Sequence, residues 1–158
     1  MTPTVRSAVD GDAETAVQVV CQSIMELCVA DHRNDADTLA RWLANKTPEN
    51  FRTWIADLDN FCVVAEVDGK VSGVGLVHRS GKIKLLYLAP GSQRLGIGRA
   101  IYATLEEKAR AWGLRKLHLD STAMARSFYE ALSYQASGEA QATLRRVAVL
   151  PIRKEARI

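Results

Sequence analysis

Apolar residues recur along this chain in two rhythms, and the change between them divides it into elements. Ala13, Ala16, Val17, Val20, Ile24 and Leu27 trace one face of a helix, preceded by a short strand at Thr4 to Ala8 and an Asp10-Gly11-Asp12 turn able to cap it. Asp35-Ala36-Asp37 starts a second helix that buries Leu39, Trp42 and Leu43. Thr47-Pro48 starts a third, since a capping hydroxyl precedes a proline at the first helical position, where the missing N–H costs nothing. Its buried side is Phe51, Trp54 and Ile55, and the tryptophans read first as core residues.

The rhythm then shortens. Phe61 to Val67 and Lys70 to His78 are strands joined by Asp68-Gly69, a two-residue hairpin signal, and Arg79-Ser80-Gly81 turns the chain into a third strand over 82–88. These three form an antiparallel meander. Ala89-Pro90-Gly91-Ser92 ends the third strand near Leu88. A helix follows over 97–112, with apolar positions at 97, 101, 105 and 109 and Gly113 as its stop. Leu114 to Asp120 is a further strand, another helix follows Thr122, and Gln135 to Ala142 with Thr143 to Leu150 read as a final strand pair.

The chemistry concentrates between Ile83 and Ser133. Gln93-Arg94-Leu95-Gly96-Ile97-Gly98 opens the 97–112 helix, and its two glycines remove Cβ atoms where backbone N–H groups are still unpaired. Such donors, at the positive end of the helix dipole, suit phosphate oxygens. A P-loop is excluded, because Ile97 and Gly98 stand where Lys and a hydroxyl are needed after the Gly91–Gly96 gap. A dinucleotide fingerprint gains from Asp120 at the end of the next strand. It loses because Ile101 takes the third small position and several residues separate Leu88 from Gly96.

A third reading needs no repair. Gln93-x-x-Gly96-x-Gly98 resembles the Q/R-x-x-G-x-G/A motif of the GCN5-related N-acetyltransferase (GNAT) superfamily, which cradles the pyrophosphate of acetyl-CoA. Thr122-x-x-Ala125-x-x-Phe128-Tyr129-x-x-Leu132-x-Tyr134 resembles that family's N-x-x-A-x-x-F-Y-x-x-L-G-F signature in register. The resemblance is specific over about 82–134. Thr122 replaces the usual Asn, Ser133 the usual Gly, and Arg94 a glycine often found after the first motif residue.

The resemblance implies an α/β fold over a single domain, 1–158: a mixed sheet of about seven largely antiparallel strands with a splayed central parallel pair, flanked by four to five helices. It implies acetyl-CoA as co-substrate, the backbone of Leu86 and Leu88 pairing with the pantetheine arm, and Gln93, Arg94, Leu95, Gly96, Ile97 and Gly98 around the pyrophosphate. Arg94 and Arg99 add charge for phosphate. Thr122, Ala125 and Phe128 complete the cradle. Tyr129 matches the tyrosine that many members use as general acid on the departing thiolate, a task suited to a phenol that is protonated at neutral pH.

The base is left open among Glu66, His78, Asp120, Asp31 and His32, since the strand ending at Leu88 carries no acid. The acceptor pocket is expected along Glu26 to Asp37, with Glu26, Asp31 and His32 as contacts, and its four acids against Arg33 suit a cationic amine. Acetyl transfer to a primary amine of a small molecule or peptide is the activity implied. A catalytically silent CoA-binding sensor on the same fold is the alternative.

Composition narrows the picture only slightly. A chain of 158 residues that is 47% hydrophobic supports a core without disulfides or metals. Cys21, Cys28 and Cys62 have no metal spacing and read as reduced thiols, Cys28 being placed where its thiol is potentially accessible. A net charge of +3 with scattered basic residues points to no nucleic-acid surface. No apolar run is long enough for a membrane span and no signal-peptide pattern is present, so a cytoplasmic location is expected, with a homodimer allowed.

Overall fold

The computed structural model describes residues 2–93, 95–122, 125–132, 134–136, 141–142 and 148–155. Strand β1 (Thr4–Ser7) leads through a single 3₁₀ turn into α1 (Ala13–Leu27), followed by α2 (Val29–His32), α3 (Ala36–Leu43) and α4 (Pro48–Ala56). The meander β2 (Asn60–Val67), β3 (Lys70–His78) and β4 (Ile83–Leu88) precedes α5 (Ile97–Ala111), β5 (Lys116–Ser121) and α6 (Arg126–Ala131). The chain closes with β6 (Gln135–Ala136), β7 (Gln141–Ala142) and β8 (Ala148–Glu155).

The starts of α3 and α4 fall where their capping residues place them, whereas Asp12 makes no side-chain cap on α1 and accepts from Val9 N instead. The Asp35 carboxylate accepts from Thr38 N at 2.9 Å and the Thr47 hydroxyl from Asn50 N at 3.1 Å, each satisfying one orphan donor of a first turn. Helix α2 has no periodic signal of its own in four residues, and Arg33 (φ 52°) and Asn34 (φ 56°) turn the chain out of it through left-handed conformations.

Strands β1–β4 form one antiparallel sheet in that order, and β5, β8 and β6 form a second, with β7 also paired to β8. The sheets meet through one parallel bridge, Lys82 to His118. Beyond it β4 and β5 diverge, which is the expected splay. The last strand differs from expectation: it runs from Ala148 to Glu155 rather than Thr143 to Leu150, pairing Lys116 with Glu155 and Ser121 with Leu150. Pro151 hid it, being an unusual strand residue with the basic pair Arg153 and Lys154 close behind. Residues 137–140 and 143–147 of the expected pair lie outside the described residues.

Alternation along the meander sends its side chains into two cores. Cys62, Val64, Val74, Leu76 and Leu85 pack under α1, Trp42 and Phe51, whereas Val63, Ala65 and Val77 pack under Ile97, Ile101 and Leu105 of α5. Helix α5 lies close on β3 because Gly73 and Gly75 lack Cβ atoms: one at Gly73 would sit 2.7 Å from Ile101 Cδ1. Cys62 is buried in the first core.

Register in β4 slips by one residue. Leu85 pairs with Leu76 and Ile83 with Val77, which leaves Lys84 as the extra residue of a β-bulge. The slip explains why Ile83 and Leu85, two apart, enter opposite cores. It also re-aims Lys84 beside the splay.

One ion-pair cluster fixes the opposite edge. Arg6 donates to both Asp12 oxygens at 2.9 Å and to Glu66 at 2.8 Å, tying β1 and β2 to the start of α1. Hydrogen bonding from Arg6 holds the Asp12 carboxyl below the usual range, so its contribution is present above the unfolded pKa and lost as pH falls through the lower folded value. Arg6→Ala is expected to cost about 2 kcal/mol at pH 7, as for hydrogen bonds to charged groups. The gap in urea midpoint between wild type and variant should narrow as pH drops below about 4. A gap constant from pH 7 to pH 3 would contradict this assignment.

Candidate active site

The turn after β4 delivers the chain to α5 with its backbone donors exposed. Gly96 is the N-cap in a left-handed conformation (φ 77°), a role that favours glycine, and no side chain caps the helix. The first turn carries no acidic residue, and the first intrahelical bond in it is Ala100 N to Gly96 O at 3.0 Å. The N–H groups of Ile97, Gly98 and Arg99 therefore keep the anion-binding character of a helix start. Gln93, Leu95, Gly96 and Arg99 are exposed, and Arg94 lies outside the described residues.

A cavity of about 360 Å³ opens beside this turn. Leu86 and Leu88 form its β4 wall; Gln93, Gly96, Ile97, Gly98 and Arg99 its helix-start wall; Thr122, Ala125, Phe128 and Tyr129 its α6 wall. Of the described residues expected around the cofactor, only Leu95, which is 47% exposed, is not on this lining. Along the β4 edge facing β5, the ladder has no pairing beyond the Lys82–His118 bridge among the described residues. An edge of unsatisfied N–H and C=O groups accepts an extended amide-containing arm as an added strand.

Thr122, the departure from the family's Asn, has its hydroxyl engaged in the turn, where it accepts from Ala125 N at 3.2 Å. Gly98 meets the opposite wall closely: a Cβ there would lie 3.2 Å from Phe128 Cε1. Two groups of this lining carry no sequence motif. Ser23, Leu27 and Cys28 reach it from the end of α1, and Tyr87 from β4. Cys28 is 2% exposed, and burial first, then Asp31, pushes its thiol up to about 12, so the accessible thiol expected there is a buried neutral one.

Tyr129 is 5% exposed and its ring packs edge-on against Phe128, 5.2 Å between centroids at 82°, and against Tyr134 at 5.5 Å and 61°. Burial raises its phenol well above the usual range, with Tyr134 and Tyr87 adding to the effect. The hydroxyl therefore stays protonated across working pH and acts as a hydrogen-bond donor.

On the other side of β4 lies a second cavity of about 350 Å³, walled by Trp42 of α3, Asn45 and Lys46 of the α3–α4 connection and Trp54 of α4, and by β4 and β5 through Lys84, Leu85, Tyr87 and Asp120. A smaller one of about 50 Å³ sits at the splay. It shares Leu86, Tyr87, Thr122, Ala125 and Tyr129 with the first cavity, and Ile83, Lys84, Tyr87, Asp120 and Thr122 with the second. Tyr129 and Asp120 thus face one junction.

The five base candidates separate here. Asp120 lines the junction, paired with Lys82 at 3.2 Å. Glu66 is bound to Arg6 on the far edge of the sheet, and His78 is turned onto Ser80, with Nδ1 2.9 Å from its hydroxyl. His32 is 1% exposed, its Nε2 bonded to Ile24 O at 2.8 Å and its Nδ1 accepting from Asn34 N at 3.0 Å, so both ring nitrogens serve the α1–α3 connection. Glu26, Asp31 and His32 are absent from the lining of all three cavities. The expected acceptor segment instead folds as α2 and the capping turn of α3, and α3 and α4 wall the second cavity.

No helix among the described residues is long and apolar enough to cross a membrane. No curated protein matches the chain at a significant level. Solved structures do. A GCN5-related N-acetyltransferase from Rhodopseudomonas palustris superposes with a TM-score of 0.86 at 21% identity, over 98% of this chain and 96% of the other. The PaiA N-acetyltransferase of Thermoplasma acidophilum, solved with coenzyme A, gives 0.79 at 18% identity over 98% and 99%. YncA of Salmonella typhimurium, solved with its cofactor acetyl-CoA, gives 0.70 at 16% over 100% and 96%. At these identities the likeness is one of fold, but the family model for the acetyltransferase (GNAT) domain matches residues 28–155. The chain belongs to the GNAT acetyltransferase family.

Proposed function

We propose that this protein transfers the acetyl group of acetyl-CoA directly to a primary amine across the β4–β5 splay. The observation that carries the reading is the junction, where Tyr129 reaches in from the side of the α5 cavity and Asp120 from the side of the α3–α4 cavity. The complexes of PaiA with coenzyme A and of YncA with acetyl-CoA support the donor. A sensor that only binds CoA has no need of the second cavity or of a carboxylate beside the tyrosine.

In this reading the phosphates sit on the N–H groups of Ile97, Gly98 and Arg99, and the pantetheine amides add to the open β4 edge at Leu86 and Leu88. The thioester carbon then lies at the junction. An acceptor ammonium first loses a proton to the Asp120 carboxylate, which passes it to solvent. The amine nitrogen attacks the thioester carbon, the C–S bond breaks, and its electron pair goes to sulfur. The nitrogen's second proton is lost and sulfur gains one, with the Tyr129 hydroxyl donating toward the sulfur as charge develops. An ordinary phenol near 10 is already a weaker acid than a thiol near 8.5, and burial weakens Tyr129 further. Its contribution is therefore a hydrogen bond that strengthens in the transition state, with net proton transfer following the amine.

The cradle is tested at Gly98. Gly98→Val puts a Cβ carrying two methyl groups against Phe128 and into the donor cavity, so acetyl-CoA affinity should fall at least about tenfold while the helix still forms. Calorimetry on the folded variant reads this, and unchanged affinity would remove the phosphate assignment.

A further inference from the structure

Among the described residues, the polar side chains buried in this fold are bonded within it, with one exception on the first cavity. Asp12, His32, Thr38, Lys46, Ser72 and Ser121 each make a side-chain hydrogen bond to the protein. Ser23, 2% exposed near the end of α1, makes none among the described residues, and it lines the first cavity. A buried hydroxyl without a partner destabilises the fold that holds it, so a group that completes its bonding is expected from the cavity.

The position of Ser23 indicates which part of a ligand meets it. Tyr87 packs against the first core, under α1, while Leu86 and Leu88 pack against the second, under α5. All three line the cavity, which therefore wraps the β4 edge, with α5 and α6 on one face of the strand and Ser23, Leu27 and Cys28 on the other. Ser23 is not on the lining of the junction where Tyr129 and Asp120 meet, nor on that of the second cavity. It is thereby set apart from the reacting carbon and from the amine, which leaves the arm between thioester and phosphates. An arm added to the β4 edge turns its two amides along the plane of the sheet and its tetrahedral substituents toward the two faces. The one polar substituent of that kind on a pantetheine arm is the hydroxyl of its pantoyl unit. Resting on the acetyl-CoA reading above, we propose that Ser23 is a further cofactor-binding residue, its hydroxyl hydrogen-bonded to the pantoyl hydroxyl from the α1 face. Leu27 and the neutral thiol of Cys28 give the arm an apolar bed beside it.

Such a residue acts in opposite senses on the free and the loaded protein. Calorimetry with coenzyme A and with adenosine 3′-phosphate 5′-diphosphate, which keeps the phosphates and lacks the arm, reads the difference. Ser23→Ala should weaken coenzyme A about three- to tenfold, as for one neutral hydrogen bond, and leave the armless nucleotide unchanged. The urea midpoint of the free variant should equal or exceed that of wild type, since an unpartnered hydroxyl has been removed. Ser23→Cys, similar in shape and poor at hydrogen bonding, should follow Ser23→Ala. Coenzyme A made with hydrogen in place of the pantoyl hydroxyl should bind wild type about as weakly as coenzyme A binds Ser23→Ala, and the two changes together should cost no more than either alone. Unchanged coenzyme A affinity in folded Ser23→Ala would overturn the inference and leave acetyl transfer standing. Equal weakening of both ligands, or a lower urea midpoint in the free variant, would overturn it in favour of a structural role for Ser23. Additive losses from variant and analogue would overturn the pairing with the pantoyl hydroxyl. No binding of coenzyme A by wild type would remove the donor reading itself, and this inference with it.

Discussion

Tyr129→Phe should lower kcat by about 10²-fold and leave the acetyl-CoA KM nearly unchanged. The reasoning is differential. The hydroxyl faces a neutral thioester in the ground state and a sulfur gathering negative charge in the transition state, so its hydrogen bond gains strength only as the C–S bond breaks. Removing such a donor from a desolvated site typically costs about 10²–10³ in kcat, and Tyr129, 5% exposed, is in one. The phenylalanine ring keeps the packing against Phe128 and Tyr134. A purely structural role predicts a different pattern: stability lower by about 1 kcal/mol with kcat near wild type. Steady-state kinetics with a competent amine, once chemistry is shown to limit turnover, separates the two. Tyr102 and Tyr134, whose hydroxyls bond each other at 3.0 Å in the second core, offer a contrast, since loss of either hydroxyl should act on stability rather than on kcat.

Asp120→Asn should lower acceptor kcat/KM by about 10²-fold at pH 7, the lower end of what a positioned acid or base contributes. The pH dependence identifies the cause. An alkylammonium with pKa near 10 must shed a proton at pH 7 but arrives largely neutral above that value. The gap between wild type and Asp120→Asn should therefore narrow as pH rises from 7 to 10. A variant that only disturbs the Lys82 pair or the end of β5 has no reason to recover at high pH. A deficit independent of pH would return Asp120 to a structural role at the strand end.

Most of what positions the site was legible as local signals. Asp35 and Thr47 cap α3 and α4 where they stand in the sequence, and Asp68-Gly69 turns β2 into β3. The glycine turn and the α6 residues of the first cavity formed a readable set because each needs a particular backbone or ring at a fixed spacing. The bulge at Lys84 left no such trace, since it is decided by how β4 pairs with β3 beside the splay. The Glu26–Asp37 segment departs from expectation for a related reason. Acids along Glu26–Asp37 looked like a pocket lining, but their order is local: Asp35 caps a helix and His32 is consumed by two backbone groups. The lysines that do line the cavity come from α4's approach and from strands β4 and its leading turn, 36 or more residues apart in sequence from Lys46 to Lys82, and only tertiary packing brings them together. Asp120 is one candidate of five in the sequence, and only the splay brings it to the same small cavity as Tyr129.

The central claim is that the two cavities are halves of one reaction path, and following the acetyl group itself tests it most directly. Acetyl-CoA labelled in the acetyl carbonyl is incubated with the protein and a panel of primary amines, and both free thiol and labelled amide are quantified. The account predicts label on the amine nitrogen in one-to-one ratio with thiol released, and the loss of both together in Tyr129→Phe and Asp120→Asn. Thiol release with the label recovered only as acetate, or tight binding of acetyl-CoA with no release across the panel, would contradict it.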